Sequence, residues 1–289
     1  MNPDLSLPPV AAPYQLPFHY GALHTVGIDY LVDLAPVREV LAKRHPELTA
    51  ADFDGQACVT LNYQLYFAQY PGGGGITQEI EYSVIAYPTA SADRLPLLTY
   101  RQFAQGLDQT KLLGIARLHV LCDNPLAIDA GTRLYGEPKY PGWFDASMPS
   151  LNGPAAEAWS VVCNDADLTG NGDLVRRERM LFSFSVNLAG LPRTAVNNTP
   201  ITGYGTDAAG RALAGPMNVY QPYEYRFLPP SHNSSVRLTV HDEASPIGTD
   251  LIGLIGAQPA VTAWTYQSPP VAAHNHPYYL ATRRPATAG

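Results

Sequence analysis

The chain has 289 residues, with 18 Lys and Arg against 25 Asp and Glu, for a net charge of −7. That length can bury roughly three quarters of the surface the unfolded chain exposes. The acidic balance argues against a nucleic-acid surface, which needs clustered positive charge. No apolar run reaches the ~18 residues of a membrane span, no secretory signal is evident, and Cys58, Cys122 and Cys163 have no paired spacing. The expectation is a cytoplasmic protein with reduced thiols, no membrane association and no nucleic-acid partner.

In chain order, residues 1–20 read as a proline-spaced extended arm, placed on a neighbouring element or subunit. Tyr30–Asp33 then reads as a strand and Val37–Leu41 as a helix. Ala57–Phe67 is a strong strand, and the Gly72–Gly75 run joins it to a second strand over Ile76–Pro88 as a long hairpin. That second strand carries Glu79 and Glu81, two apart and therefore on one face. Leu97–Leu107 reads as a helix and Ile115–Leu121 as a strand. Next comes a helix over 125–135, capped by Asp123 or Asn124, with Pro125 in its first turn and Gly136 at its end. Strands follow around Trp159–Cys163, Leu181–Val186, Val219–Phe227, Val236–His241 and Val261–Gln267, before a flexible tail over 281–289. The 27 prolines and 24 glycines are spread through connections, with no internal repeat and no linker. One α+β domain over 1–289 is the simplest reading.

The chemistry-bearing stretch is Gly136-Glu137-Pro138-Lys139-Tyr140-Pro141-Gly142. Pro138 stops the helix, which puts Lys139 on a stiff, non-helical corner among Tyr135, Tyr140, Trp143 and Phe144. A lysine is nucleophilic only when neutral, and moving its pKa from about 10.4 to ~7 costs roughly 4–5 kcal/mol. An apolar, aromatic pocket can supply that by desolvation. A neutral amine attacks a ketone to form an imine, whose protonated form accepts the electrons released when a β-keto acid loses CO2.

Residues 124–139, Asn-Pro-Leu-Ala-Ile-Asp-Ala-Gly-Thr-Arg-Leu-Tyr-Gly-Glu-Pro-Lys, resemble the active-site segment of the acetoacetate decarboxylases, where a NEPAIAVGRE helix runs into a Pro-Lys-Lys turn. Arg237–Pro246 resembles that family's late R-L-x-L-F-x-H-A-x-A-P block, and Tyr30–Asp33 with Val37–Leu41 resembles its opening strand and helix. The three blocks occur in the family's order. The resemblance implies an α+β fold in which a curved antiparallel, barrel-like sheet with a few helices encloses an apolar pocket. It also implies a homo-oligomer and a cofactor-free lyase that decarboxylates a β-keto acid through an imine on Lys139.

Two departures shape the expectation. The family has two adjacent lysines, the second credited with lowering the pKa of the first; here Tyr140 holds the second place, which leaves burial to tune Lys139. The family's N-terminal arginine, which meets the substrate carboxylate, has no counterpart, and the count lands near Leu23 and His24. The catalytic candidates are Lys139 and Glu79, with Glu81 as the alternative carboxylate. Glu81, Tyr140, Tyr135, Glu137 and His24 are the candidate substrate contacts, and the expected partner is a small keto acid. Aldol, dehydration or cyclisation chemistry on a 2-keto acid is the alternative, because several reactions diverge from one enamine. A noncatalytic binding relative is the other, favoured if Lys139 is exposed or held in a permanent ion pair.

Other motifs are weaker. Asp165–Asp173 resembles the start of a calcium loop, but Arg176 stands where the bidentate Glu belongs, so it reads as an enlarged hairpin turn. The glycine run lacks the Lys-Ser/Thr of a phosphate loop. His274-Asn275-His276 offers two histidines without a third ligand, and no metal site is expected.

Overall fold

In a computed structural model, the structure describes residues 7–154, 156–220, 222–273, 275–277, 279 and 280. The tail and His274 lie outside the described residues, as does the start of the arm.

Fourteen strands form one sheet: β1 (Tyr20–Asp33), β2 (Leu48–Ala50), β3 (Gln56–Tyr70), β4 (Gly73–Pro88), β5 (Gly114–Cys122), β6 (Lys139–Ser147), β7 (Ala158–Leu168), β8 (Leu174–Asn187), β9 (Thr194–Val196), β10 (Ile201–Thr206), β11 (Ala212–Met217), β12 (Tyr223–Phe227), β13 (Val236–Val240) and β14 (Thr262–Gln267). Among the described residues four α-helices accompany them: α1 (Leu34–Arg44), α2 (Tyr100–Ala104), α3 (Pro125–Tyr135) and α4 (Pro246–Asp250). The sheet runs β13-β8-β7-β6-β5-β4-β3-β1-β14-β12-β9 and stays open. It is mixed and not wholly antiparallel, because β5 pairs in parallel with both β6 and β10.

The spine of the sheet is the β3–β4 hairpin with β1 on one side and β5 on the other. Val59, Leu61, Tyr63, Ile80, Tyr82 and Val84 are fully buried there, next to Val26 and Ile28 of β1. These strands are longer than their apolar cores suggest. Gly73–Gly75 belong to β4, where they pair with Ala68–Tyr70, and Gly74 leaves room for the Phe67 ring. The helix expected over Leu97–Leu107 shrinks to α2, which begins in a Thr99–Gln102 capping box.

α3 spans the expected residues. Asn124 Oδ1 accepts from Leu126 N and Ala127 N, Pro125 opens the helix, and Gly136 closes it at φ 62°. The arm packs on this helix of its own chain: Tyr14 Oη donates to Asp129 at 2.7 Å, and Arg133 donates to the Ala12 carbonyl. The Asp165–Asp173 segment is the β7–β8 hairpin, with Asp165 and Asp167 paired to Arg179 and Arg177. No helix among the described residues is long and apolar enough to cross a membrane.

Candidate active site

Strand alternation and one bulge build the site. Glu79 and Glu81 of β4 share a face, and across the ladders Glu81 pairs with Val120, which pairs with Lys139 at the start of β6. Residues directly opposite across a ladder share a face, so Lys139 falls on the carboxylate side and Tyr140, one residue on, falls on the other. The corner expected at Lys139 thus comprises Gly136–Pro138, and Lys139 is already a strand residue. β10 braces that corner: Thr206 N donates to the Gly136 carbonyl, and Gly205 lets the strand pass against the Tyr135 carbonyl.

β5 carries Arg117 and His119, two residues apart, which a regular strand would place on one face. A bulge at Leu118 prevents that: Tyr82 pairs with His119, but Ser83 pairs with Arg117. Arg117 therefore turns toward Glu81 and Lys139, while His119 stacks on Tyr82 behind the sheet.

Lys139 Nζ lies 2.6 Å from Glu79 Oε2 and 3.3 Å from Glu137 Oε2. Arg117 Nε lies 2.7 Å from Glu81, and its Nη1 is 3.5 Å from Glu137. Tyr66 Oη donates to Glu79 at 2.9 Å. Five charged groups, three acidic and two basic, form one buried cluster; the side chains of Lys139 and Glu79 are only 6% and 5% exposed. They floor a pocket with about 850 Å³ of space, its open mouth included, walled by Phe18, Tyr20, Tyr70, Tyr135, Met217 and Trp264. Gly131 of α3 faces the cluster, and a Cβ there would come within 2.4 Å of Glu137 Oε2 and 2.7 Å of Lys139 Cδ.

The electrostatics differ from the expected desolvated amine. Burial works to lower the pKa of Lys139, but the Glu79 and Glu137 carboxylates outweigh it and hold the ammonium well above its ordinary value. Burial pushes Glu81 up to about 7 despite Arg117, with repulsion from Glu79 and Glu137 adding to the rise. Burial also opposes the charge on Glu137, yet Arg117 and Lys139 keep its carboxyl below the usual range.

Of the residues singled out from sequence, Lys139, Glu79, Glu81, Glu137 and Tyr135 meet in this pocket. Tyr140 and His24 do not line it. Tyr140 Oη reaches His119 Nδ1 at 3.0 Å on the opposite face, where His119 Nε2 meets Asp250 at 2.6 Å and Arg44 pairs with the same carboxylate. His24 pairs with Leu65 and so faces away from Gln64 and Tyr66, which do line the pocket. Phe144 likewise packs on Tyr63 behind the sheet. Sequence reading missed Arg117, Tyr66 and Phe18. A charged residue inside the apolar run of β5 was the available signal for Arg117; Phe18 had none, because the arm's path is set by its docking on α3.

The sequence matches no family model and no curated protein. Solved structures do match. The enduracididine biosynthesis enzyme MppR complexed with pyruvate superposes with a TM-score of 0.57 and 13% identity, covering 89% of this chain and 88% of that one. MppR with the condensation product of pyruvate and imidazole 4-carboxaldehyde gives 0.56 and 14%, covering 88% and 86%. An acetoacetate decarboxylase gives 0.49 and 13%, covering 89% and 90%. At such identities the likeness is one of fold alone: this chain shares the α+β fold of MppR.

Proposed function

We propose that this protein is a cofactor-free lyase that forms a Schiff base between Lys139 Nζ and the ketone of a keto acid, and that it decarboxylates a β-keto acid. The observation that carries this reading is a lysine buried at the floor of an open-mouthed pocket with Glu79 in contact as a proton acceptor, whereas its ion pairs with Glu79 and Glu137 are the feature that suits a noncatalytic binding relative. At rest that amine is an ammonium. When the carbonyl enters, Glu79 takes the proton, the amine adds to the carbonyl carbon, and loss of water leaves an iminium. The bond to the carboxylate carbon then breaks, CO2 departs, and its electron pair moves into the iminium as an enamine. Glu79, having given the first proton to the departing water, takes a second from solvent and delivers it to the enamine carbon, and hydrolysis frees the ketone and the lysine.

Three carboxylates in the floor favour this direction. Arg117 is already held by Glu81 and Glu137, so a substrate carboxylate beside them meets net repulsion, and leaving as CO2 relieves it. Glu81, which titrates at about 7, can take up a proton as an anion binds. Aldol, dehydration or cyclisation chemistry on a 2-keto acid is a second reading, supported by the pyruvate and pyruvate-condensation complexes of MppR on the same fold.

Borohydride trapping with a panel of 2- and 3-keto acids, read by peptide mass spectrometry, tests the proposal. A keto-acid-dependent adduct on Lys139 that is absent from Lys139→Ala is the expected result, and CO2 release separates the two reactions. Binding of keto acids without any adduct would make the ion-paired lysine a recognition group and the protein a binding relative.

A further inference from the structure

A second cavity lies on the same sheet face as the first, further along the strands. Ile115, Ile201, Tyr223 and Trp264 line both, so the two spaces abut. β4 enters the first through Glu79 and Glu81 and the second through Ile85; β3 enters the first through Asn62 and the second through Thr60. Glu81 and Ile85 are four residues apart, roughly 13 Å at the rise of a strand. Trp264 divides the floor because its partner in the ladder is Gly27, where any Cβ would fall within 2.0 Å of the indole.

The second cavity, about 650 Å³ with its mouth, is walled mainly by apolar and aromatic side chains. Asp29 in its floor is held by Tyr100 Oη at 2.8 Å and Trp264 Nε1 at 3.1 Å. Thr60, opposite Asp29 in the ladder, brings its buried hydroxyl to the same carboxylate. With that carboxylate held from within the fold, a cavity of apolar and aromatic walls continuous with the lysine pocket suits the apolar part of a ligand.

We propose that this cavity receives the far end of the substrate: an aromatic tail on a carbonyl compound whose head sits at Lys139. The substrate class is then long-chain aryl keto acids and not acetoacetate-sized ones. Only the placement of the head rests on the imine reading; the tail site is independent of it.

The test compares 2-oxobutanoate with 6-phenyl-2-oxohexanoate by calorimetry, in the wild type and in Lys139→Ala, which binds without an imine. Burial of a ring predicts tighter binding of the long acid on the order of 30-fold in both proteins. Leu113→Trp, which fills the second cavity, brings the ratio below about threefold on the same scale. In methyl-labelled wild-type protein the Ile85 resonance shifts with the long acid and stays in place with the short one, a readout that needs no variant. Ratios below about threefold in both proteins, an unshifted Ile85, or a preference that survives Leu113→Trp would overturn the proposal. Borohydride trapping of 2-oxobutanoate on wild-type Lys139 reads the imine separately, so a failure there is distinguishable from a failure of the tail site.

Discussion

Lys139 is set between two opposed influences, burial and two neighbouring carboxylates, and the carboxylates prevail. Replacing one should therefore shift the balance visibly. Glu79→Gln removes the nearer carboxylate, so the pKa of Lys139 falls and the pH profile of borohydride trapping moves to lower pH. Turnover of a substrate that is trapped should nevertheless drop by roughly 10²–10⁴, because the proton shuttle is gone. Glu81 offers a second test, with a definite sign. Its folded-state pKa of about 7 lies above its unfolded value, so the stability it contributes is present below that unfolded value and lost as pH rises toward and past 7. Glu81→Gln should melt at the wild-type temperature near pH 4 and higher than wild type at pH 8. The expected gain at pH 8 is on the order of 1–3 kcal/mol, or roughly 2–8 °C, measured by thermal denaturation across pH.

At the scale of elements, α3 and the corner after it determine where the lysine stands. Asn124 and Pro125 start the helix and Gly136 ends it in a left-handed conformation, while β10 packs so tightly that a Cβ at Gly136 would come within 2.3 Å of the Thr206 carbonyl oxygen. Gly131 is different, because the atoms a Cβ would meet are the far ends of two flexible side chains, Glu137 and Lys139. Gly131→Ala should fold with nearly wild-type stability, since alanine also favours the helix, yet push both side chains from their places. The measurable outcome is a fall in the rate of adduct formation of at least about tenfold, as expected for misplacement of a reacting group by about 1 Å, with an unchanged circular dichroism spectrum. The β5 bulge acts on the same scale. By setting Arg117 on the pocket face and His119 on the other, it lets two neighbouring polar residues serve different clusters.

At the scale of the molecule, one open sheet carries a polar pocket on one face and an apolar core, with the Tyr140–His119–Asp250 network, on the other. Cys58, Cys122 and Cys163 are all 0% exposed, and burial raises each thiol. A thiol reagent at pH 8 should therefore label none of the three in the native protein and all of them after denaturation; rapid native labelling would show that the sheet opens readily. Much of this architecture was legible locally. Helix α3, its cap and its stop depend on residues within one turn of each end, and the strand character of Ala57–Phe67 and Ile76–Pro88 follows from β-branched and aromatic residues in sequence. The meeting of Glu79, Glu81 and Glu137 with Lys139 was foreseeable as candidates, because a two-residue period and a helix stop already restrict where those side chains point. What pairing alone decided is the rest: the parallel register of β5 and β6, the bulge that turns Arg117 inward, and the alternation that sends Tyr140 and His24 to the far face. A one-residue change in register exchanges the two faces of a strand, so side-chain direction depends on a partner strand that lies elsewhere in the chain. The charge state of Lys139 depends on the same distant partners. The amino-acid sequence by itself determined which groups were available for chemistry, and the tertiary structure decided which of them share a dielectric and therefore that the lysine rests as an ammonium.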